Sequence, residues 1–303
     1  MVKTPIYLKN LSPEEKIHFK NKYDYIFFDK DDTIELLNGS VIPGAAEALR
    51  GIATHDKKIH LFTDSCLATK EVLANTFGAR YPEFKKENII TTTLVLIHYL
   101  KRIGFKKKIY AIGSEDGLVK ELADAGFEVL SDTEIKKYDS VRQLAMSIRY
   151  DKDVGAVVVG ADMNFSYMKL LKAVNYLRDK SVLLFTTQTT LVACLDPILP
   201  VSAALCTPIT AITNREPICS GKSSEASVDF IKSLGYDLKK CLFVGDFPGT
   251  DIKIGNMCGM DTLLVLCGTT NKERLQAFID QGDELVIPTY VTDSTADLRA
   301  FFS

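Results

Sequence analysis

The chain has 303 residues, 46% apolar and 25% charged, enough to bury a full core and, at this length, to build two structural units. Its 37 basic and 39 acidic residues leave a formal charge of −2, without the basic excess of nucleic-acid and anionic-membrane binders. No window approaches an uninterrupted eighteen-residue apolar span, and the opening MVKTPIYLKNLSPEEKIHFKNKY lacks a signal-peptide core, so a soluble cytoplasmic protein with no membrane partner is expected.

Ser12-Pro13-Glu14-Glu15 predicts a capped N-terminal helix. The run YIFF (25–28) then reads as a buried strand and leads straight into Asp29, Asp31 and Asp32. A helix is expected over 44–54, followed by the strand KIHLF (58–62), which ends on Thr63, Asp64 and Ser65. Helices over 67–78 and 94–103 precede the strand KIYAI (108–112), a helix over 115–125 and the strand GAVVVG (155–160). A helix over 166–178 and the strand VLLFT (182–186) follow, then a loop, CSGKSSEAS, that carries Lys222 ahead of a helix over 225–234. CLFVG (241–245) ends on Asp246, Asp251 opens a helix over 251–258, and TLLVL (262–266) with a helix over 272–280 completes the pattern. Uninterrupted apolar strands alternating with helices predict parallel strands buried on both faces, an α/β fold. The seven cysteines are scattered, with no C-x-x-C pair, and read as reduced thiols, most of them core fillers.

In open α/β sheets ligands bind beyond the carboxyl ends of the strands, so the polar residues at these ends matter together more than singly. In order they read D-x-D, Thr, Lys and G-D-x-x-x-T-D. With IPGAAEAL (42–49), VGAVVVGADMNFSYMKL (154–170), GKSS (221–224), VGDFPGTDI (244–252) and GMDTLLVLCG (259–268), the chain resembles the haloacid dehalogenase superfamily of aspartate-nucleophile phosphatases. Within that superfamily it is similar to the 4-nitrophenyl phosphatase-like branch, which includes phosphoglycolate and pyridoxal phosphatases. The resemblance implies a Rossmann-like parallel-sheet core, 1–92 and 209–303, with an inserted α/β cap domain at 93–208. It also implies a phosphoric monoester hydrolase acting on a small phosphorylated metabolite. Asp29 would be the nucleophile, forming an aspartyl-phosphate, and Asp31 the partner acid and base. Thr63, Asp64, Ser65 and Lys222 would bind the phosphate, and Asp251 would orient Lys222 or metal-bound water. Asp29, the backbone carbonyl of Asp31 and Asp246 would hold Mg2+, a hard cation that prefers oxygen ligands. A homodimer through the cap is an arrangement the resemblance leaves open.

Other phosphatase chemistries fail on inspection. No cysteine has an arginine six residues on, and Glu216 stands where a phosphate-binding P-loop ending in Gly221-Lys222 needs its first glycine. His18, His55, His60 and His98 show no metal-ligand spacing and read as structural. The chain also departs from its relatives. Asp32 replaces the glycine of D-x-D-G, Glu35 stands where tryptophan is common, and Asp64-Ser65 replaces Asn-Asn. In the cap, ADMNFSY, TTQTT (186–190) and VSAA (201–204) are rewritten. These changes raise an alternative, a catalytically weakened paralogue that binds a phosphorylated ligand or a protein. Asp32 itself has two readings: it faces the substrate and repels phosphate, or it caps the following turn or pairs with a basic residue.

Overall fold

The structure is a computed structural model that describes residues 4–133, 139–192 and 197–302; Cys194 lies outside them. In chain order the strands are β1 (Ile6–Tyr7), β2 (Tyr25–Phe28), β3 (Lys58–Thr63), β4 (Ile89–Thr91), β5 (Lys108–Ile112), β6 (Val129–Leu130), β7 (Val154–Val159), β8 (Leu183–Thr186), β9 (Leu191–Val192), β10 (Leu199–Pro200), β11 (Ile218–Cys219), β12 (Cys241–Gly245), β13 (Asp261–Val265) and β14 (Tyr290–Thr292). They form a seven-stranded parallel sheet, β1-β14-β13-β12-β2-β3-β4, and a five-stranded parallel sheet, β11-β8-β7-β5-β6. A small antiparallel pair, β9 with β10, stands apart from both.

Alternation along each strand divides the larger sheet's core in two. Ile26, Phe28, Leu61, Val244 and Leu263 face the helices Pro13–Lys22, Ala45–Ala53 and Lys70–Arg80. Phe27, Phe62 and Phe243 face the other way, onto Val95, Ile231 and Ile254. The rings of Phe27 and Phe243 stack at 6.1 Å on neighbouring central strands, and truncating such a buried ring to alanine costs about 3–5 kcal/mol. The second sheet is likewise packed on both faces, by Leu96, Ile109, Leu122 and Phe185 on one side and by Tyr110, Val157, Leu184 and Ile209 on the other.

The seven expected strands are present, with ends shifted by a residue or two; KIHLF runs on to Thr63. Ser12 makes the expected capping box, accepting from Glu15 N–H while its own N–H donates to the Glu15 carboxylate. Helix starts differ more: the one expected from 94 begins at Thr92, capped by Thr91, and three others depart in kind. The helix expected from 67 begins at Lys70, capped by Thr69, because the carbonyls of Cys66 and Leu67 are bound by the second sheet's connections. Those expected at 115 and 251 open as π-helical turns, Glu115–Val119 and Pro248–Ile252. Short strands such as β11 and the helix Ser202–Thr213, which holds Pro208 in its interior, carry no clear periodic signal. β11 pairs with β8, so the second sheet's strands continue past residue 208 to Cys219.

Candidate active site

The larger sheet reverses its winding between β2 and β12, and the carboxyl ends of β2, β3 and β12 open onto one crevice. Asp29 leaves β2 there, its N–H donating to Val244 O at 2.9 Å, so the residue is knitted to the neighbouring strand. Its Oδ1 pairs with the Lys222 ammonium, and its Oδ2 accepts from Thr33 Oγ1 at 3.2 Å. Lys222 Nζ also donates to Asp251 Oδ1 at 2.8 Å and lies 6.0 Å from the ring centres of both Phe62 and Phe243. Asp251 is fully committed, since its Oδ2 accepts from Phe247 N–H at 3.0 Å.

Two glycines make this packing feasible. A Cβ at Gly245 would lie 2.3 Å from the Asp251 side chain, and one at Gly268 would lie 2.5 Å from Asp246 Oδ2 and 2.3 Å from Asp32 O. Gly268 thereby lets Thr269 N–H reach Asp246 Oδ2 at 2.6 Å. Carboxylate oxygens of Asp29, Asp246 and Asp251 lie within 4.8 Å of one another, all buried. The Lys222 ammonium pairs with two of the three, Asp29 and Asp251, so the group carries a surplus of formal negative charge in a desolvated space. Burial, reinforced by Asp251, pushes the Asp246 carboxyl up to about 7, and burial drives Asp29 upward against the pull of Lys222. Burial opposes the Lys222 charge, but Asp251, Asp29 and Asp64 outweigh it and hold the ammonium above the ordinary lysine range. An all-oxygen donor set with surplus negative charge fits a hard divalent cation such as Mg2+.

The other anticipated residues surround this centre. Thr63 is buried, and its Oγ1 accepts from Ser65 N–H at 3.1 Å, which leaves its own proton free to donate. Asp64 Oδ1 accepts from the Lys222 backbone N–H at 2.9 Å and ties the β3 loop to the lysine loop. The Asp31 carboxylate is held by Lys30 at 2.6 Å, outside the three-carboxylate group. Asp32 adopts the left-handed backbone, φ 59°, that a glycine would favour, and its Oδ1 accepts from Leu37 N–H at 3.0 Å. It therefore caps its turn. Glu35, where tryptophan is common in the relatives, is buried in an ion pair with Arg80, with Lys30 3.8 Å away. The Thr33, Lys30 and Arg80 contacts were not read from the sequence. Thr33 lies two residues after D-x-D and could have been, whereas Arg80 meets Glu35 only through tertiary packing. A cleft of about 220 Å³ beside the site is lined by Asp32, Leu37, Cys267 and Thr269 among others. A larger groove, about 370 Å³, lies along β1 and the C-terminal helix, and none of the site residues line it.

A haloacid dehalogenase-like hydrolase family model matches residues 26–128, and a second model of the same kind matches 220–298. Phosphoglycolate phosphatase 2 of Arabidopsis thaliana is 30% identical over 291 residues, covering 93% of this chain and 95% of that one. 4-Nitrophenylphosphatase of Schizosaccharomyces pombe is 29% identical over 299 residues, covering 95% and 97%. Human chronophin is 29% identical, covering 90% and 91%. Among solved structures, the 4-nitrophenylphosphatase of Thermotoga maritima superposes with a TM-score of 0.76 at 23% identity, covering 93% and 98%, a likeness of fold. With near full-length relatives of this kind, matched family models at both ends and a crevice of buried aspartates at the strand ends, the chain belongs to the haloacid dehalogenase-like hydrolases and is a phosphatase.

Proposed function

We propose that the protein is a magnesium-dependent phosphomonoesterase of small phosphorylated metabolites that works through an aspartyl-phosphate on Asp29. The observation that carries this reading is the Lys222 ammonium, buried between Asp29 and Asp251 beside Asp246. Phosphate monoesters resist attack because the nucleophile must approach a dianion, so the site must supply positive charge and in-line geometry. An Asp29 oxygen attacks phosphorus, and the bond from phosphorus to the leaving oxygen breaks as Asp31 gives that oxygen a proton. Asp31 then takes a proton from the water that attacks the aspartyl-phosphate, which frees Asp29 and inorganic phosphate. Lys222 neutralises charge on the nucleophile and the phosphoryl oxygens, while Thr63 and the Ser65 loop hold those oxygens. Asp29, Asp246 and the Asp31 carbonyl would hold Mg2+, which supplies Lewis-acid stabilisation of the phosphoryl charge when bound. Asp251 fixes Lys222.

The inserted cap, 93–208, covers the core and selects the substrate; the pairing of β11 with β8 supports carrying it on to Cys219. A cytoplasmic location and a homodimer through the cap belong to the same proposal; among the described residues no helix is long and apolar enough to cross a membrane. The reason for a weakened paralogue loses force here, because the carboxylates of Asp32 and Asp64 are turned onto backbone N–H groups rather than left free to repel phosphate. Incubation of the pure protein with 4-nitrophenyl phosphate, with and without Mg2+, tests the reading. Metal-dependent turnover is expected in the native chain and none in Asp29→Asn, which is nearly isosteric but cannot attack. Equal rates in the two proteins would sink the nucleophile assignment.

A further inference from the structure

In the second sheet, β6 lies on one side of β5 while β7, β8 and β11 follow on the other, so its winding reverses between β5 and β7. A doubly wound sheet opens its ligand crevice beyond the strand ends at such a point. Here that crevice is filled by the chain's own β3 loop. Cys66 is 3% exposed, its sulfur accepts from Ala161 N–H at 3.2 Å, and its carbonyl accepts from Leu118 N–H at 3.0 Å. Ser114 Oγ donates to Leu67 O at 3.1 Å. Gly117 has to be glycine for this fit, since a Cβ there would lie 2.3 Å from Cys66 O and 2.4 Å from the Leu67 carbonyl carbon.

Glu121 holds the far end of the same loop. It is 5% exposed, yet its Oε1 accepts from Lys70 N–H at 3.1 Å and its Oε2 from Thr91 Oγ1 at 2.8 Å. Lys70 is the first residue of the eleven-residue helix Lys70–Arg80, where a carboxylate meets both an orphan N–H and the positive end of the helix dipole. The segment 66–70 is thus gripped at both ends by residues 114–121, immediately after Thr63, Asp64 and Ser65.

We propose that Glu121 is a positioning residue for the reaction: through Lys70 and the Cys66–Leu67 clasp it sets the placement of the Thr63–Ser65 loop that holds the phosphoryl oxygens. The proposal rests on the phosphate role given to that loop above. A loop displaced by a fraction of an ångström misaligns its donors in ground state and transition state alike, and misplacement of about 1 Å can cost ~100-fold in rate.

The test reads phosphate affinity and turnover separately. Affinity for inorganic phosphate in the presence of Mg2+ is taken from the shift in melting temperature, and kcat/KM from 4-nitrophenyl phosphate at a temperature where every variant is folded. In Glu121→Ala both should fall roughly tenfold. Glu121→Gln, which keeps an acceptor for Lys70 N–H, should return both to within about twofold. A lower melting temperature with both constants unchanged would make Glu121 a strut between two packed units and overturn the proposal. Should Glu121→Ala not fold, Ser114→Ala decides, since it removes the bond to Leu67 O together with the cap on Gly117 N–H; a drop of about two- to threefold in both constants is expected, and no drop overturns the proposal. Asp29→Asn is run alongside. Wild-type turnover no better than that variant strikes the nucleophile reading and leaves the phosphate measurement to judge Glu121. Absence of phosphate binding by the wild type strikes both.

Discussion

The chain has two rims of parallel strand ends, and they treat charge differently. On the larger sheet, the carboxylates of Asp29, Asp246 and Asp251 cluster, and Lys222 pairs with Asp29 and Asp251. On the smaller sheet, beyond β7, Asp162 pairs with Lys169 at 2.6 Å and takes Asn164 N–H at 2.8 Å, both charged side chains being almost fully buried. Nearby, Asp132 accepts from the Tyr110 hydroxyl and from Lys172, each at 2.6 Å. The same architecture therefore carries one rim short of positive charge and one that is balanced residue by residue. Surplus charge at the first suits a divalent cation, and balance at the second suits a rim filled by the chain's own loop.

The largest expected effect is on the balanced rim. Asp162→Asn strands the Lys169 ammonium and should cost about 3–5 kcal/mol in a urea melt, and adding Lys169→Met should recover much of it. A single variant as stable as the native chain would show that the pair is not an energetic unit. Next comes His60, buried on β3 with Nε2 making no hydrogen bond, whose pKa is lowered by burial, and further by Lys58, to about 4. The unfolded chain binds that proton near the ordinary histidine value of about 6.5. Between these values the unfolded state holds more protons, so stability falls as the pH drops from about 6.5 to 4, by about 3 kcal/mol in all. His60→Phe should remove that part of the acid slope; an unchanged slope would assign it to other groups.

These contrasts also mark what the sequence could and could not disclose. Asp29, Thr63 and Asp246 were legible because each follows an apolar run whose end defines its place, and Lys222 through the GKSS stretch that precedes a helix. The Asp162–Lys169 pair and the Glu121 clasp were not. A lysine or a glutamate inside a helical segment looks solvated until the surface it packs against is known, and Gly117 looks like a weak helix residue until Cys66 O is found 2.3 Å from its missing Cβ. Asp32 offered two readings, repulsion or cap, and only its bond to Leu37 N–H separates them.

On the charge-deficient rim, beryllium fluoride or vanadate with Mg2+ should stabilise the native chain by about 2.7 kcal/mol at a hundredfold excess over its dissociation constant. An absent shift in the melting curve would break the link between surplus charge and phosphoryl binding. The smallest effect is expected from Asp32→Gly, which loses the Leu37 bond but suits the left-handed backbone. Stability should change by at most about 1 kcal/mol and kinetics hardly at all. A marked fall in the substrate concentration needed for half-maximal rate would revive the repulsion reading.

Lys222 follows β11 by three residues, and β11 is an edge strand of the smaller sheet. For anyone grafting the smaller sheet onto a relative, a cut at 208/209 would separate the paired strands β8 and β11, and one at 92/93 would fall inside the helix Thr92–Arg102. A graft ending at 208 would carry β8 and leave its partner β11 behind in the donor. One that omits 66–70 would set a foreign side chain against Gly117 and a foreign helix start against Glu121. A graft that keeps these contacts takes the smaller sheet through Cys219 together with the loop it clasps, and drift at position 66, 117 or 121 in one lineage should be answered at the others.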